Sequence, residues 1–179
     1  MLVSIFVERW QPETNTFHMP FGEMTITLDD VHVILGIPVR GKSISAPMGT
    51  RLEDSIKLLQ RALGLTANVA HDQLTRVRGQ SVSLEWLRDT FGRVTDDQGI
   101  RAVKRAARAY LLYLLGCTLF TDKSGTRVSV QYLEPLLDLG QVHTYAWGAA
   151  GLAFMYRQLG LATRSGVKQI AGYITLLEA

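Results

Sequence analysis

The stretch from Thr14 to Pro38 constrains the fold more than any other part of the 179-residue chain. Residues 14–18 are rich in β-formers, and residues 24–28 alternate apolar and hydroxyl side chains with a period of two, the pattern of a half-buried strand. Between them, Pro20-Phe21-Gly22-Glu23 has the composition of a turn. The stretch therefore predicts a β-hairpin.

A short helix is predicted directly after the hairpin. Asp29 and Asp30 would lie in its first turn, where carboxylates meet the positive end of the helix dipole. Gly36 suits a left-handed residue at the helix end, and Pro38 cannot continue the helix. The exposed face would present the two aspartates and His32, a poor match to phosphates, so the pattern disfavours the recognition helix of a helix-turn-helix motif.

Most of the remaining chain shows helical periodicity with turn residues between the segments. Helices are predicted over residues 52–63 (with a Thr50–Glu53 capping box), 84–91 (capped by Ser83), 98–115, 133–139, 145–159 and 167–177. Residues 68–80 fit either a loop or a weak helix. The pattern is that of a mainly α protein: one compact multi-helix domain over residues 1–179 with a small N-terminal β-hairpin.

The segment 98–115 is predicted to be the longest helix, opened by Asp96-Asp97. Its first half has two contrasting faces, an apolar one with Ile100, Val103, Ala107 and Tyr110 and a basic one with Arg101, Lys104, Arg105 and Arg108. Its second half is apolar on all sides, which predicts a central, buried helix. The single cysteine, Cys117, follows among apolar neighbours and is predicted to be a buried small hydrophobe.

The totals place the chain among ordinary globular proteins. It is 47% hydrophobic and 20% charged, with a formal net charge of +3. One cysteine cannot form an internal disulfide, which suits a reducing compartment such as the cytosol or nucleus. No uncharged run reaches the roughly 20 apolar residues that a membrane span needs, and the N-terminus has no basic region or cleavage site typical of a signal peptide.

The sequence predicts no catalytic residue, cofactor site or metal site. The histidines are scattered and none has a second ligand at helical spacing: His18, His32, His71 and His143. No glycine-rich phosphate loop is present. Asp29-Asp30 and Asp96-Asp97 fit acids at helix N-termini better than paired carboxylates for acid–base chemistry.

The strongest polar feature is a set of cations that could contact a partner or nucleic acid: Arg76, Arg78, Arg101, Lys104, Arg105 and Arg108. A plain solvated face, an acidic protein surface and nucleic acid are all open as explanations. The aromatic residues that would stack on single-stranded bases are not interleaved with these cations.

Several long motifs resemble those of the plant mobile domain, a family found in transposable elements and in host proteins of the maintenance-of-meristems type. They occur in the expected order: ERWQPETNTFH at Glu8–His18, GEMTITLDDV at Gly22–Val31, SLEWL at Ser83–Leu87, RAYLL at Arg108–Leu112, LFTDKSGTRV at Leu119–Val128 and YAWGAA at Tyr145–Ala150. The likeness covers nearly the whole chain.

The resemblance implies a nuclear, non-enzymatic protein-interaction module in transposon silencing, gene expression and genome integrity. It implies partnership with other plant mobile domain proteins and with a type-seven-like serine/threonine phosphatase, and it carries no catalytic residues or cofactor. The alternative is a DNA- or RNA-binding module derived from a transposable-element protein. Family members continue past the segment matching Ile174–Leu177, so the domain is expected to be shortened at one or both ends, exposing an apolar edge that favours self-association.

Overall fold

The computed structural model describes residues 7–44, 51–76 and 80–165. In this part the chain is mainly helical, with a small antiparallel hairpin near the N-terminus, as the sequence predicts. The helices are α1 Leu28–Leu35, α2 Leu52–Leu63, α3 Ala67–Arg76, α4 Leu84–Phe91, α5 Ile100–Cys117 and α6 Trp147–Ser165. The strands are β1 Trp10–Gln11, β2 Thr16–Met19, β3 Gly22–Met24, β4 Ser81–Ser83 and β5 Arg127–Ser129. Short 3₁₀ turns occupy Asp96–Gln98, Val130–Leu133 and Val142–Thr144.

The N-terminal hairpin gains a third strand, because β1 pairs with β2 and places Trp10 opposite Phe17. The two rings meet edge to face with centroids 4.8 Å apart. Of the strand predicted over residues 24–28, only Met24 pairs with β2, and residues 25–27 lie outside the ladder. The Thr25 hydroxyl instead lies 2.8 Å from the Tyr156 hydroxyl of α6, which ties the hairpin to that helix.

Helix α1 confirms the predicted start and stop signals. The Thr27 hydroxyl accepts a hydrogen bond from the Asp30 N–H at 3.2 Å, and the Asp30 carboxylate accepts one from the Thr27 N–H at 2.7 Å, which completes a capping box. The hydrogen bond from the Thr27 backbone is the main cause that lowers the pKa of Asp30 below its ordinary value of 3.8. Gly36 ends the helix in the left-handed conformation at φ 63°.

The apolar side chains form two clusters. The larger lies among α2, α3, α4, α5 and the β4–β5 pair, and its fully buried members include Leu59, Leu63, Leu74, Leu87, Leu112, Leu133 and Leu136. The smaller holds α6 against α1 and the N-terminal sheet and contains Trp10, Phe17, Val31, Leu152, Met155 and Leu159. At the start of α6 the Gly148 N–H donates to the Pro38 carbonyl at 2.8 Å, so the two backbones approach closely at this glycine.

Some predicted boundaries are wrong. Asp96 and Asp97 lie in a separate 3₁₀ turn, and α5 begins only after Gly99, so they do not open the helix. Residues 133–139 form no helix: the 3₁₀ turn ends at Leu133 and irregular turns follow, in which Leu136 N–H donates to Leu133 in the tighter i→i+3 pattern.

Other expectations concern α2, α3 and the chain end. Helix α2 begins after Arg51, which makes no side-chain capping bond, and Thr50 lies outside the described residues. The ambiguous stretch 68–80 is helical up to Arg76. Helix α6 runs further than predicted, to Ser165, and has 19 residues against 18 in α5. The helix predicted over residues 167–177 lies outside the described part.

Candidate partner surface on helix α5

A narrow face of α5 packs on the larger core. Its buried residues are Ala109, Leu112 and Gly116. A Cβ added to Gly116 would lie 2.7 Å from atoms of both Leu84 and Val128, so the backbone of α5 is close to α4 and β5 at this point. Small residues allow this approach and fix the direction of the inner face. The opposite side of the helix therefore points outward.

The outer face of α5 is apolar along its whole length. It consists of Ile100, Val103, Ala107, Tyr110, Leu114 and Cys117, spaced three and four residues apart. The exposed fractions are 68% for Ile100, 61% for Tyr110 and 36% for Leu114. Cys117 is also exposed, and the other two side chains are half-buried. The four apolar residues of the first half share a face as predicted, but that face meets solvent.

The prediction that the second half of α5 is buried on all sides is wrong, and so is the prediction of a buried Cys117. Helix α5 lies at the side of the core, where α4, α2, β5 and the 3₁₀ turn after β5 pack on it. These elements cover its inner side only. Tyr110, Leu114 and Cys117 are therefore left at the surface although their neighbours in sequence are apolar.

Two apolar grooves run beside the outer face. The first, of about 340 Å³, is lined by Leu111, Leu114 and Leu115 of α5 together with Ile37, Pro38 and Val142. The second, of about 270 Å³, lies between α5 and α4 and is lined by Ala106, Tyr110, Tyr113, Leu87 and Phe91. Apolar side chains dominate the outer face and both grooves, although Arg88 also lines the second groove. Exposed apolar surface of this kind marks protein interaction sites.

Arg108 does not belong to an exposed basic surface. Its guanidinium donates to the carbonyls of Leu136 at 3.2 Å, Ala62 at 3.2 Å and Leu137 at 2.8 Å. Ala62 lies in the last turn of α2, where carbonyls have no partner within the helix. Arg108 therefore joins α5 to the end of α2 and to the turn after the 3₁₀ segment.

The other predicted cations are arranged differently. Arg101, Lys104 and Arg105 are exposed, and no ion pair involves them in the part of the chain that the structure describes. Arg105 also lies over Gly64, where an added Cβ would overlap its guanidinium. Arg76 is exposed in the last turn of α3, on another helix, and Arg78 lies outside the described residues.

Two tyrosines with a raised pKa lie in the part of the chain that the structure describes, Tyr113 and Tyr132. In the described ranges no group of three or more His, Cys, Asp or Glu side chains could hold a metal ion, and no helix has the length and apolarity to cross a membrane. Burial raises the pKa of Tyr132 to about 12, and its ring stacks on Phe120 with centroids 3.8 Å apart. A hydrogen bond with Cys117 raises the pKa of Tyr113.

The family model of the plant mobile domain matches residues 1–179, and the chain belongs to this family. Among relatives from Arabidopsis thaliana, Protein MAIN-LIKE 1 is 44% identical over 179 residues, which cover 99% of this chain and 34% of that protein. Protein MAINTENANCE OF MERISTEMS is 40% identical over 177 residues, covering 99% of this chain and 36% of that protein.

A third relative, the Arabidopsis thaliana Serine/threonine-protein phosphatase 7 long form homolog, is 36% identical over 177 residues, covering 99% of this chain and 13% of that protein. The chain thus spans between 13% and 36% of the length of these three relatives. No solved structure matches it.

Proposed function

We propose that this plant mobile domain is a non-enzymatic protein-interaction module of nuclear complexes that act in transposon silencing, gene expression and genome integrity. The observation that carries the proposal is the apolar outer face of α5. A helix this close to the core exposes Ile100, Tyr110 and Leu114, and apolar grooves flank it on both sides. Burying such a surface in a complex would be favourable by roughly 25 cal/mol for each Å² of apolar area removed from water.

The partners in this proposal are other plant mobile domain proteins and a type-seven-like serine/threonine phosphatase. The family membership supports the first kind of partner. A relative named as a phosphatase 7 long form homolog, which contains a matching segment, supports the second. The localisation that goes with these partners is nuclear.

A pull-down experiment tests the proposal. The purified domain is fixed to beads and incubated separately with the MAIN-LIKE 1 protein and with the phosphatase 7 long form homolog. We expect stoichiometric retention of at least one of them in physiological salt. A fluorescent fusion of the chain expressed in plant cells should accumulate in nuclei. Retention of neither protein by a correctly folded domain would contradict the interaction role.

The exposed cations favour a second candidate, direct binding of DNA or RNA. Arg101, Lys104 and Arg105 project from the first half of α5, and no carboxylate pairs with them in the described residues. Each phosphate contact steepens the salt dependence of binding to duplex DNA by about 0.9 in log–log slope. Changing the three cations to Gln should lower the slope by up to about 2.7. A flat anisotropy titration of labelled duplex and single strands at low salt would exclude this candidate.

A further inference from the structure

We propose that the outer face of α5 binds a partner α-helix whose apolar residues follow a heptad pattern and whose flanking residues are acidic. The inference rests on the proposed function, since it names the kind of partner that the same surface would take. It goes further by fixing the geometry and the charge of that partner.

The spacing of the outer face carries the geometry. Ile100, Val103, Ala107, Tyr110, Leu114 and Cys117 alternate steps of three and four residues, as the a and d positions of a coiled coil do. Such a stripe keeps facing a second helix over its whole length, about 26 Å at 1.5 Å per residue. The small side chain of Ala107 at its centre leaves room for a large side chain of the partner.

The two grooves fit the same arrangement. They lie on opposite sides of the stripe, one lined by Leu111 and Leu115 and the other by Ala106 and Tyr113. In the heptad set by the stripe, Leu111 is an e position and Ala106 and Tyr113 are g positions, the places next to the seam where side chains of a partner helix come close. A partner helix on α5 would therefore bury apolar residues on both of its flanks as well as along the seam.

The charge of α5 selects the partner. The helix has four cations, Arg101, Lys104, Arg105 and Arg108, and no acidic residue among its 18 residues. Lys104 lies beside the stripe, exposed and without an ion pair in the described part of the chain. A carboxylate on the partner would complement it. Arg108 is bonded to carbonyls within the fold, so a second copy of α5 would bring three exposed cations, Arg101, Lys104 and Arg105, and no carboxylate. An acidic helix therefore fits better than a copy.

A pair of synthetic peptides tests the inference on the whole chain. Both are helical three-heptad peptides with Leu at a and d; one carries Glu at e and g and the other Lys, and like charges keep each monomeric at neutral pH. Fluorescence anisotropy of the labelled peptides should show the Glu peptide binding at least roughly tenfold more tightly than the Lys peptide.

Substitutions on the chain locate the binding. Leu114→Glu should weaken binding of the Glu peptide by at least roughly tenfold, because it places a charge in the seam. Lys104→Glu should weaken binding of the Glu peptide and strengthen binding of the Lys peptide, and it leaves the apolar seam unchanged. Val33→Glu is the matched control, since Val33 is also apolar and 80% exposed but lies on α1; it should leave both affinities unchanged.

Three results would overturn the inference. The first is equal binding, or no binding, of the two peptides. The second is an unchanged affinity for the Glu peptide in both the Leu114→Glu and the Lys104→Glu chain. The third is a dimer of the chain in sedimentation that Leu114→Glu dissociates, because it would assign the face to a second copy. Failure here is distinguishable from failure of the proposed function. If the named relatives are still retained by the Leu114→Glu domain, the interaction role stands and the partner binds elsewhere.

Discussion

Replacing Arg108 by Met is expected to destabilise the domain strongly although the residue is a cation on a helix that reaches the surface. The change removes three hydrogen bonds to the carbonyls of Ala62, Leu136 and Leu137 while keeping an unbranched apolar side chain. A hydrogen bond involving a charged group contributes about 1.5–3 kcal/mol, and a neutral one about 0.5–1.5 kcal/mol. Because Arg108 is only half-buried, water would rehydrate part of the freed carbonyls, and we expect a loss of about 2–4 kcal/mol in total.

Urea unfolding followed by far-UV circular dichroism measures this loss. The matched control is Arg101→Met, two turns earlier on α5, where the side chain is exposed and no ion pair involves it in the described residues. We expect the control to change the free energy of unfolding by less than about 0.5 kcal/mol. If Arg108→Met destabilises no more than the control, the three bonds do not hold α5 to the end of α2 and the reasoning is refuted.

Three further predictions concern packing, ionisation and capping. Gly116→Ala adds a Cβ 2.7 Å from atoms of α4 and β5 and should destabilise the domain by about 1–3 kcal/mol. Gly160→Ala in α6, where the nearest atom is 3.9 Å away, should stabilise the domain by about 0.5–1 kcal/mol. The melting temperatures of the two variants test both expectations. The pKa of Tyr132 is raised to about 12, so the folded chain favours the neutral phenol. The free energy of unfolding should therefore fall by about 2–3 kcal/mol as the pH rises from about 10 through 12. Tyr132→Phe should remove this fall in unfolding curves measured across that range. Thr27→Ala should cost about 1 kcal/mol. It also removes the hydrogen bond from the Thr27 hydroxyl to the Asp30 carboxylate, the smaller cause of the lowered pKa, so the pKa of Asp30 should rise but stay below 3.8 because the backbone bond remains, which an NMR titration of the carboxyl detects.

Local signals explain what the sequence predicted well. The start and end of α1 depend on residues within ten positions of one another, and the acids of its first turn and the left-handed Gly36 lie where the sequence predicts them. The same holds for α4, where the Ser83 hydroxyl accepts from the Trp86 N–H at 3.4 Å. Capping and turn chemistry need no information about distant parts of the chain.

The orientation of α5 could not be read in the same way. Periodicity shows which residues share a face, but it does not show whether that face meets the core or solvent. The inner face is made by Ala109, Leu112 and Gly116, two of which are small and contribute little to an apolar pattern. The regular three–four spacing from Ile100 to Cys117 fits a seam for a helix outside this fold as well as it fits a face packed on the core.

The role of Arg108 was hidden for a different reason. Its acceptors lie 46 residues before it at Ala62 and 28 residues after it at Leu136. No local pattern reports such distant carbonyls, and a cation at helical spacing with other cations fits a solvated face equally well. The basic surface predicted from sequence is therefore reduced by one residue on α5.

The central claim is that the outer face of α5 is uncovered in the free domain, and the alkylation rate of Cys117 tests it most directly. Cys117 is the single cysteine of the chain and ends the exposed stripe. Under native conditions iodoacetamide should modify it at a rate within roughly tenfold of that in the urea-unfolded chain, because an exposed thiol needs no opening of the fold to react. A native rate slower by several orders of magnitude would show that the thiol is covered and would contradict the account.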